Sequence, residues 1–487
     1  MPADSQPRRA CDRCHNIKER CQWSPDSDVC QRCLRLGHDC QTLRPVQRLG
    51  RKPRSQALRT LPLHGAPQPP LGYGDAPLDA RSFTERSDSA SHASHASPAE
   101  SADSPRTRDL TKAFADMTGL SDAERELCSV CFAKSDAAGQ FTLGPSFHFT
   151  HRADLTYRLS SAVPELKDAF VACAVIMARH QNLAVSQKAV ELCARKAAVG
   201  IASLRMLQVR KREDVSVCLV LGMVIVTYSL FMATGEGRAI CASALTHVRP
   251  WYRSPNVHFE IDEYAYLICL MYTEMIECIL ESDVPTLRYG DFGKHVTWVD
   301  RYMGLSPPVL TFFYDLCQLG NSLRNTRNTE DEATQRRMHE IESSIKRWMP
   351  LTPAGFPDRY THIEVLQIMT QIKSLRQAAL LVLHRLRFPY GVQDEKGLAL
   401  SDSILLECGL AMQHIPGVPM GMDIAFVIAC FEPKEEWHQQ ETLTQVADYL
   451  KFSDAFHEKI RAMLQQIWRA KIVRRDIYWF DIPSFLS

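Results

Sequence analysis

The 487-residue sequence lacks the short signatures by which catalytic sites are usually read: it has no Gly-rich phosphate loop, no Gly-x-Ser-x-Gly and no His-Glu-x-x-His. Its nearest approach to the aspartate-rich box that holds magnesium in all-helical lyases, Glu330-Asp331-Glu332, falls in a polar turn. No residue is assigned a catalytic role, and the chain is not expected to be an enzyme. No alternating strand-like series comparable in length to the helix-period segments is present, which argues against a sheet-based core. Net charge is nearly absent, since 57 Lys and Arg oppose 56 Asp and Glu. The opening Met-Pro-Ala-Asp-Ser-Gln-Pro-Arg-Arg is not an apolar signal segment, so thiols are expected in a reducing compartment rather than as disulfides. One uncharged run, residues 215–233, has the length of a membrane span. It occurs once, in the interior, and carries two Ser, a Thr and a Tyr, so a buried central helix is expected and no membrane partner.

What the sequence does contain is a repeated cysteine spacing. Cys11-x2-Cys14-x6-Cys21 is followed by Cys30-x2-Cys33-x6-Cys40. A Cys-x2-Cys pair at the start of a helical turn aims two sulfurs at one point, and a third returns to it after about two turns. Each triplet is one sulfur short of a tetrahedral zinc. Two zinc ions want eight sulfur contacts from six cysteines, so two thiolates must bridge, and the count describes a Zn2Cys6 cluster with two Zn2+ per chain. Ribbon or RING-type sites need another ligand order, and His15 and His38 do not stand at such spacings. The near-neutral total also hides a basic head: residues 1–60 hold 13 Lys and Arg against 6 Asp and Glu, and the remainder 44 against 50. Arg44, Arg48, Arg51, Lys52, Arg54 and Arg59 follow the last cysteine with no acid among them, and Pro45, Gly50 and Pro53 keep that stretch extended. Such a strand suits a phosphate backbone or a nuclear-import receptor.

The spacing resembles that of the fungal binuclear zinc cluster transcription factors, over roughly residues 8–54. The resemblance implies that Cys11 and Cys30 are the bridging thiolates and that Lys18 is the base-reading residue, with Arg13 and Arg20 at commonly basic positions. It implies CGG-like half-sites on double-stranded DNA and a nuclear location. Two positions depart from the family pattern: His15 stands where Arg or Lys is usual, and Pro25 lies five residues before Cys30 instead of two. The halves also differ from each other. The first triplet encloses His15, Lys18 and Arg20 and is expected to face DNA, while the second encloses Leu34, Leu36 and Gly37 around Arg35 and is expected to pack against the first.

Residues 61–108 hold 7 Pro, 8 Ser, 8 Ala and 3 Gly, a composition that builds no core, and are expected to be disordered. The prolines exclude a coiled coil after the cluster. From about residue 109 onward the apolar residues take a helical period. Val163, Leu166, Phe170, Cys173, Met177 and His180 form one stripe, and Ile363, Leu366, Met369, Ile372, Leu375, Leu380 and Leu383 another. Gly235-Glu236-Gly237, Pro307-Pro308, Pro350 to Pro357, Pro389-Tyr390-Gly391 and Pro416 to Gly421 punctuate them. The expected organisation is a small α zinc-cluster domain (8–43), a basic strand (44–60), a disordered linker (61–108) and a large all-α regulatory domain (109–487) that looks like the family's middle homology region. Function follows as sequence-specific transcriptional regulation, with coregulators as further partners. The competing reading is a helical scaffold or ligand-binding protein whose zinc head makes protein contacts.

Overall fold

The computed structural model describes residues 10–11, 14, 21–23, 29–36, 40–42, 110, 112–114, 117–134, 139–290, 298–414, 420–474 and 476–486. The chain divides into two compact units, residues 1–92 and 93–487. The expected basic strand and linker, residues 44–108, lie outside the described residues.

The fold is all-helical. Among the described residues of the second unit there is no β-strand, only an isolated antiparallel bridge between Asp300 and Gly304. Twelve helices of 14 residues or more follow one another there: α1 Pro145–Ser160, α2 Pro164–His180, α3 Gln187–Met206, α4 Arg212–Met232, α5 Gly237–Tyr252, α6 Ile261–Glu281, α7 Val309–Thr326, α8 Glu332–Arg347, α9 His362–Arg387, α10 Asp394–His414, α11 Glu436–Tyr449 and α12 Asp454–Val473. Their starts have local causes. Pro145 and Pro164 occupy the first turns of α1 and α2, where a missing N–H costs nothing. Thr361 and Glu364 form a capping box at α9, with the Glu364 amide donating to the Thr361 hydroxyl at 3.2 Å and the Thr361 amide to the Glu364 carboxylate at 2.8 Å. The acidic turn at residues 330–332 is a cap as well, since the Asp331 carboxylate accepts from the Thr334 amide at 3.0 Å. Pro307-Pro308 and Pro389-Tyr390-Gly391 fall between helices, Gly235-Glu236-Gly237 runs into the first residue of α5, the Pro350 to Pro357 cluster ends inside the short helix Phe356–Arg359, and residues 416–419 of the last cluster lie outside the described residues.

At the centre is α4, packed against α2, α3, α5, α6 and α12. It alone among the described helices is long and apolar enough to cross a membrane. Its apolar residues are covered by those neighbours around most of its circumference, from Val215 to Phe231. Gly222 lets α4 and α5 approach closely: a Cβ there would lie 2.8 Å from the Ala244 Cβ on α5. One large contiguous core runs from Phe114 to Ile482 and takes in both early and late helices, and a smaller cluster of Leu143, Val299, Leu305, Phe356, Ile368 and Ile372 lies in the same unit, so the unit is one packed body rather than two halves. All eleven cysteines beyond residue 40 are thiols outside any disulfide, within or against this core. Cys128 and Cys131 are buried among them, and the Cys131 thiol donates to the Ala174 carbonyl at 3.3 Å.

One expected stripe is turned. Ile372, Leu375 and Leu383 of α9 are buried, but Ile363, Leu366 and Met369 are 48%, 41% and 42% exposed, while Gln367, Ile368 and Gln371 face inward. Polar anchors set this rotation. The Glu364 carboxylate accepts from the Ser146 amide and hydroxyl, each at 2.8 Å, and Gln371 is held by Ser306 and the carbonyls of Tyr302 and Met420. Buried polar groups must be satisfied, and that requirement outweighs the exposure of three apolar side chains.

Charge is buried at a second place. Arg385 is fully buried and spends all its donors: on Glu432 at 2.8 and 2.6 Å, on Asp394 at 2.8 Å, and on the carbonyls of Pro389 and Val392 at 3.1 Å each. The C-terminal segment docks on the same body. Trp479 donates its indole N–H to the Ile279 carbonyl at 2.7 Å, Arg327 reaches Asp481 at 2.5 Å, and Ile482 is buried.

Candidate functional site

In the first unit the two cysteine triplets come together with near-identical local bonding. The Cys14 amide donates to the Cys11 sulfur at 3.4 Å, and the Cys33 amide to the Cys30 sulfur at the same distance. The Cys11 amide donates to the Cys21 sulfur and the Cys30 amide to the Cys40 sulfur, both at 3.3 Å. A repeated sequence spacing has become a repeated structure. In the second half the cause is visible: Cys30 is the N-cap of the short helix Gln31–Arg35, in extended backbone conformation, and its sulfur takes the place a capping oxygen would have. Cys33 follows one turn later on the same face and is buried. The Gln31 amide ties this helix to the Gln22 carbonyl at 2.9 Å.

The sulfurs converge. Cys11, Cys14, Cys21 and Cys30 form one group of four and Cys11, Cys30, Cys33 and Cys40 another, with all sulfurs of a group within 4.8 Å of one another, so each group could hold a metal ion. Cys11 and Cys30 stand in both groups. The sulfurs of Cys11 and Cys30, of Cys11 and Cys33, and of Cys14 and Cys30 are each 3.8 Å apart. Among the described residues no other His, Cys, Asp and Glu cluster meets this test.

Crowding decides the protonation. Burial works against charge on every sulfur, yet the Cys33 amide and the neighbouring thiols of Cys33, Cys21 and Cys14 hold Cys30 down to about 6. Burial and the adjacent Cys11 and Cys30 push the Cys14 thiol up to about 12. Six thiols this close cannot all lose their protons unless a cation takes up the charge, which is what a thiolate-bound metal does.

The second half does meet the first, but its leucines take no part in the contact. Leu34 and Leu36 are 66% and 46% exposed. The two halves meet through Cys11, Cys14, Cys30 and Cys33, with Trp23 and Val29 packed alongside. So small a unit has no room for a leucine layer beneath six sulfurs. The residues expected to contact DNA, Arg13, His15, Lys18, Arg20, Arg48, Arg51, Lys52 and Arg54, lie outside the described residues.

The family model of the fungal specific transcription factor domain matches residues 159–482, from the end of α1 through the docked C-terminal segment. No curated protein and no solved structure gives a significant match to the chain.

Proposed function

The chain belongs to the fungal specific transcription factor domain family, and from that premise we propose that it is a nuclear, sequence-specific DNA-binding regulator whose head holds two zinc ions and reads CGG-like half-sites through Lys18. Family membership supports a transcription regulator, a class that implies no catalytic role. The observation that carries the finer reading is the pair of sulfur tetrads sharing Cys11 and Cys30. Four thiolates about 2.3 Å from a tetrahedral zinc stand about 3.8 Å from one another, and three sulfur pairs have that spacing. An all-thiolate tetrahedral donor set favours zinc over the harder divalent ions. Bound zinc supplies the folding energy that about 30 residues of this kind lack.

In this reading residues 8–43 are the DNA-binding domain, 44–60 the basic strand, 61–108 a linker and 109–487 the regulatory domain. Lys18 and its neighbours Arg13, His15 and Arg20 face the major groove, and Arg48, Arg51, Lys52 and Arg54 follow the phosphates. Lysine suits guanine because O6 and N7 are both acceptors in that groove. The regulatory domain offers its surface to coregulators.

A gel-shift titration of the zinc-loaded full chain tests this. CGG-containing duplexes should bind more tightly than scrambled ones, affinity should fall steeply with salt, and a zinc chelator should abolish the shift. Equal affinity for both duplexes, or binding indifferent to the chelator, would restore the reading in which the head serves protein contacts.

A further inference from the structure

Protein interiors are packed to crystal density, with few voids larger than a water molecule. The helical unit departs from this. Between α2, α4, α6, α12, the segment Asp423–Ala429 and the C-terminal tail lies a cavity of about 670 Å³, within the range of sites that take drug-sized molecules. Its floor is buried and largely apolar, with Phe132, Phe170, Leu155 and Val224 on the wall. Its mouth is marked by the exposed residues Gly235, Arg324, Lys459, Ala462 and Gln466. Pro483 and Leu486 of the docked tail complete the rim.

Several polar groups on the wall are committed to the protein, whereas the Tyr302 hydroxyl and the His151 Nδ1, which also line it, have no hydrogen-bond partner and could each bond one uncharged polar group of an occupant. The Tyr272 hydroxyl donates to Asp423, Thr273 to the Cys269 carbonyl at 2.9 Å, and Thr227 to the Met223 carbonyl at 2.9 Å. His151 is buried beside Arg301, and both effects hold it neutral, with its pKa well below the usual imidazole value. At the mouth the charges cancel. Arg238 pairs with Glu281 and Asp283, its amide donates to Glu277 at 3.1 Å, and Arg324 donates to the Glu281 carbonyl at 3.1 Å. An anionic or cationic ligand would therefore lose its hydration without finding an unpaired buried countercharge. Five methionines, Met177, Met223, Met303, Met420 and Met463, line the space, and their unbranched side chains fit themselves to varied apolar shapes.

The geometry points to a binding site for an uncharged, mainly apolar small organic molecule, entered between α12 and the ends of α4 and α7. The site spans helices from both ends of the unit and the tail, so an occupant touches elements that lie far apart in the sequence. The inference goes beyond the DNA-binding reading and stands whether or not the head binds DNA.

Nile red, an uncharged apolar dye, tests it on the full chain. Its fluorescence should titrate to one dye per chain. Ala462→Trp adds an indole at the mouth from an exposed helical position and should weaken the dye by about tenfold or more while leaving the melting temperature unchanged. Ala198→Trp, on the exposed face of α3 away from the cavity, should have no effect. Methyl palmitate should displace the dye at least about tenfold better than palmitate, which differs from it in charge. No saturable dye binding, or equal loss in the two tryptophan variants, overturns the site. Better displacement by palmitate overturns the assignment of an uncharged ligand.

Discussion

Replacing Cys11 and replacing Cys14 should have different consequences, although both are buried cysteines three residues apart. Cys14 belongs to one sulfur tetrad and Cys11 to both. Structural zinc contributes about 10–16 kcal/mol in small domains, or about 2.5–4 kcal/mol for each of four sulfur contacts on the same scale. Cys14→Ala removes one contact from one metal, which weakens that metal by about 100- to 1000-fold and leaves the other tetrad whole. Cys11→Ala removes one contact from each, a loss of about 5–8 kcal/mol in all, together with the sulfur that accepts the Cys14 amide. Native mass spectrometry of the full chain against a graded series of chelators reads the outcome directly. Wild type should hold two zincs, Cys14→Ala should pass through a one-zinc species, and Cys11→Ala should go to zero without one. Cys33→Ala should repeat the Cys14 result and Cys30→Ala the Cys11 result. If Cys11→Ala retained one zinc at a chelator strength that emptied Cys14→Ala, the sharing of Cys11 would be refuted.

In gel shifts, Lys18→Ala should lose about 1–3 kcal/mol of discrimination between CGG and altered half-sites, whereas Arg51→Ala or Arg54→Ala should weaken all duplexes alike and flatten the salt slope by about one unit; the reverse pattern would place base reading on the strand. Arg385→Met should cost about 3–5 kcal/mol in urea unfolding, because it leaves the buried Glu432 carboxylate without its Arg partner, and Glu432→Gln should cost a comparable amount, because it leaves the buried Arg385 with Asp394 alone as counter-charge. The pair Arg385→Met/Glu432→Leu should cost less than either alone, since Asp394 keeps Lys434 and the Gly391 amide; additive losses would show that the bridge is not coupled. His151 is held neutral in the fold, so the unfolded chain takes up a proton below about pH 6.5 that the folded chain refuses, and stability present above that pH is lost as pH falls, by up to about 1.4 kcal/mol per unit. Urea titrations should show a shallower decline from pH 6.5 to 5 in His151→Gln; an unchanged slope would mean His151 is protonated in the fold. In sedimentation, a fragment of residues 1–108 should be monomeric, because its prolines and glycines allow no coiled coil; a stable dimer would contradict this.

Local chemistry was legible in the sequence. The paired Cys-x2-Cys spacings, the helical stripe of α2 and the Gly and Pro breaks between helices all concern residues within a few turns of one another, where backbone geometry alone sets who meets whom. Six cysteines at this spacing also form two groups of four sulfurs that share Cys11 and Cys30. The direction of a helix face was not always legible. The Ile363, Leu366 and Met369 stripe reads as core, yet it is the least buried part of α9, because Glu364 and Gln371 find their partners at Ser146, Tyr302, Ser306 and Met420, residues that no periodicity connects. The exposure of Leu34 and Leu36 was hidden likewise, since six converging sulfurs and not apolar area organise that unit.

What the sequence by itself determined is therefore the class of element and the ligand spacing: apolar stripes of helical period punctuated by Gly and Pro, thiols at intervals that can share a metal, and one uncharged run with the length of a central helix. What only the tertiary structure decided is everything that depends on distance through space. Arg385 and Glu432 are 47 residues apart and meet in the core. The cavity takes its walls from Phe132 to Leu486. Such contacts are chosen by the collective packing of many weakly specified faces and by the need to satisfy each buried polar group, and a single sequence carries no local mark of either.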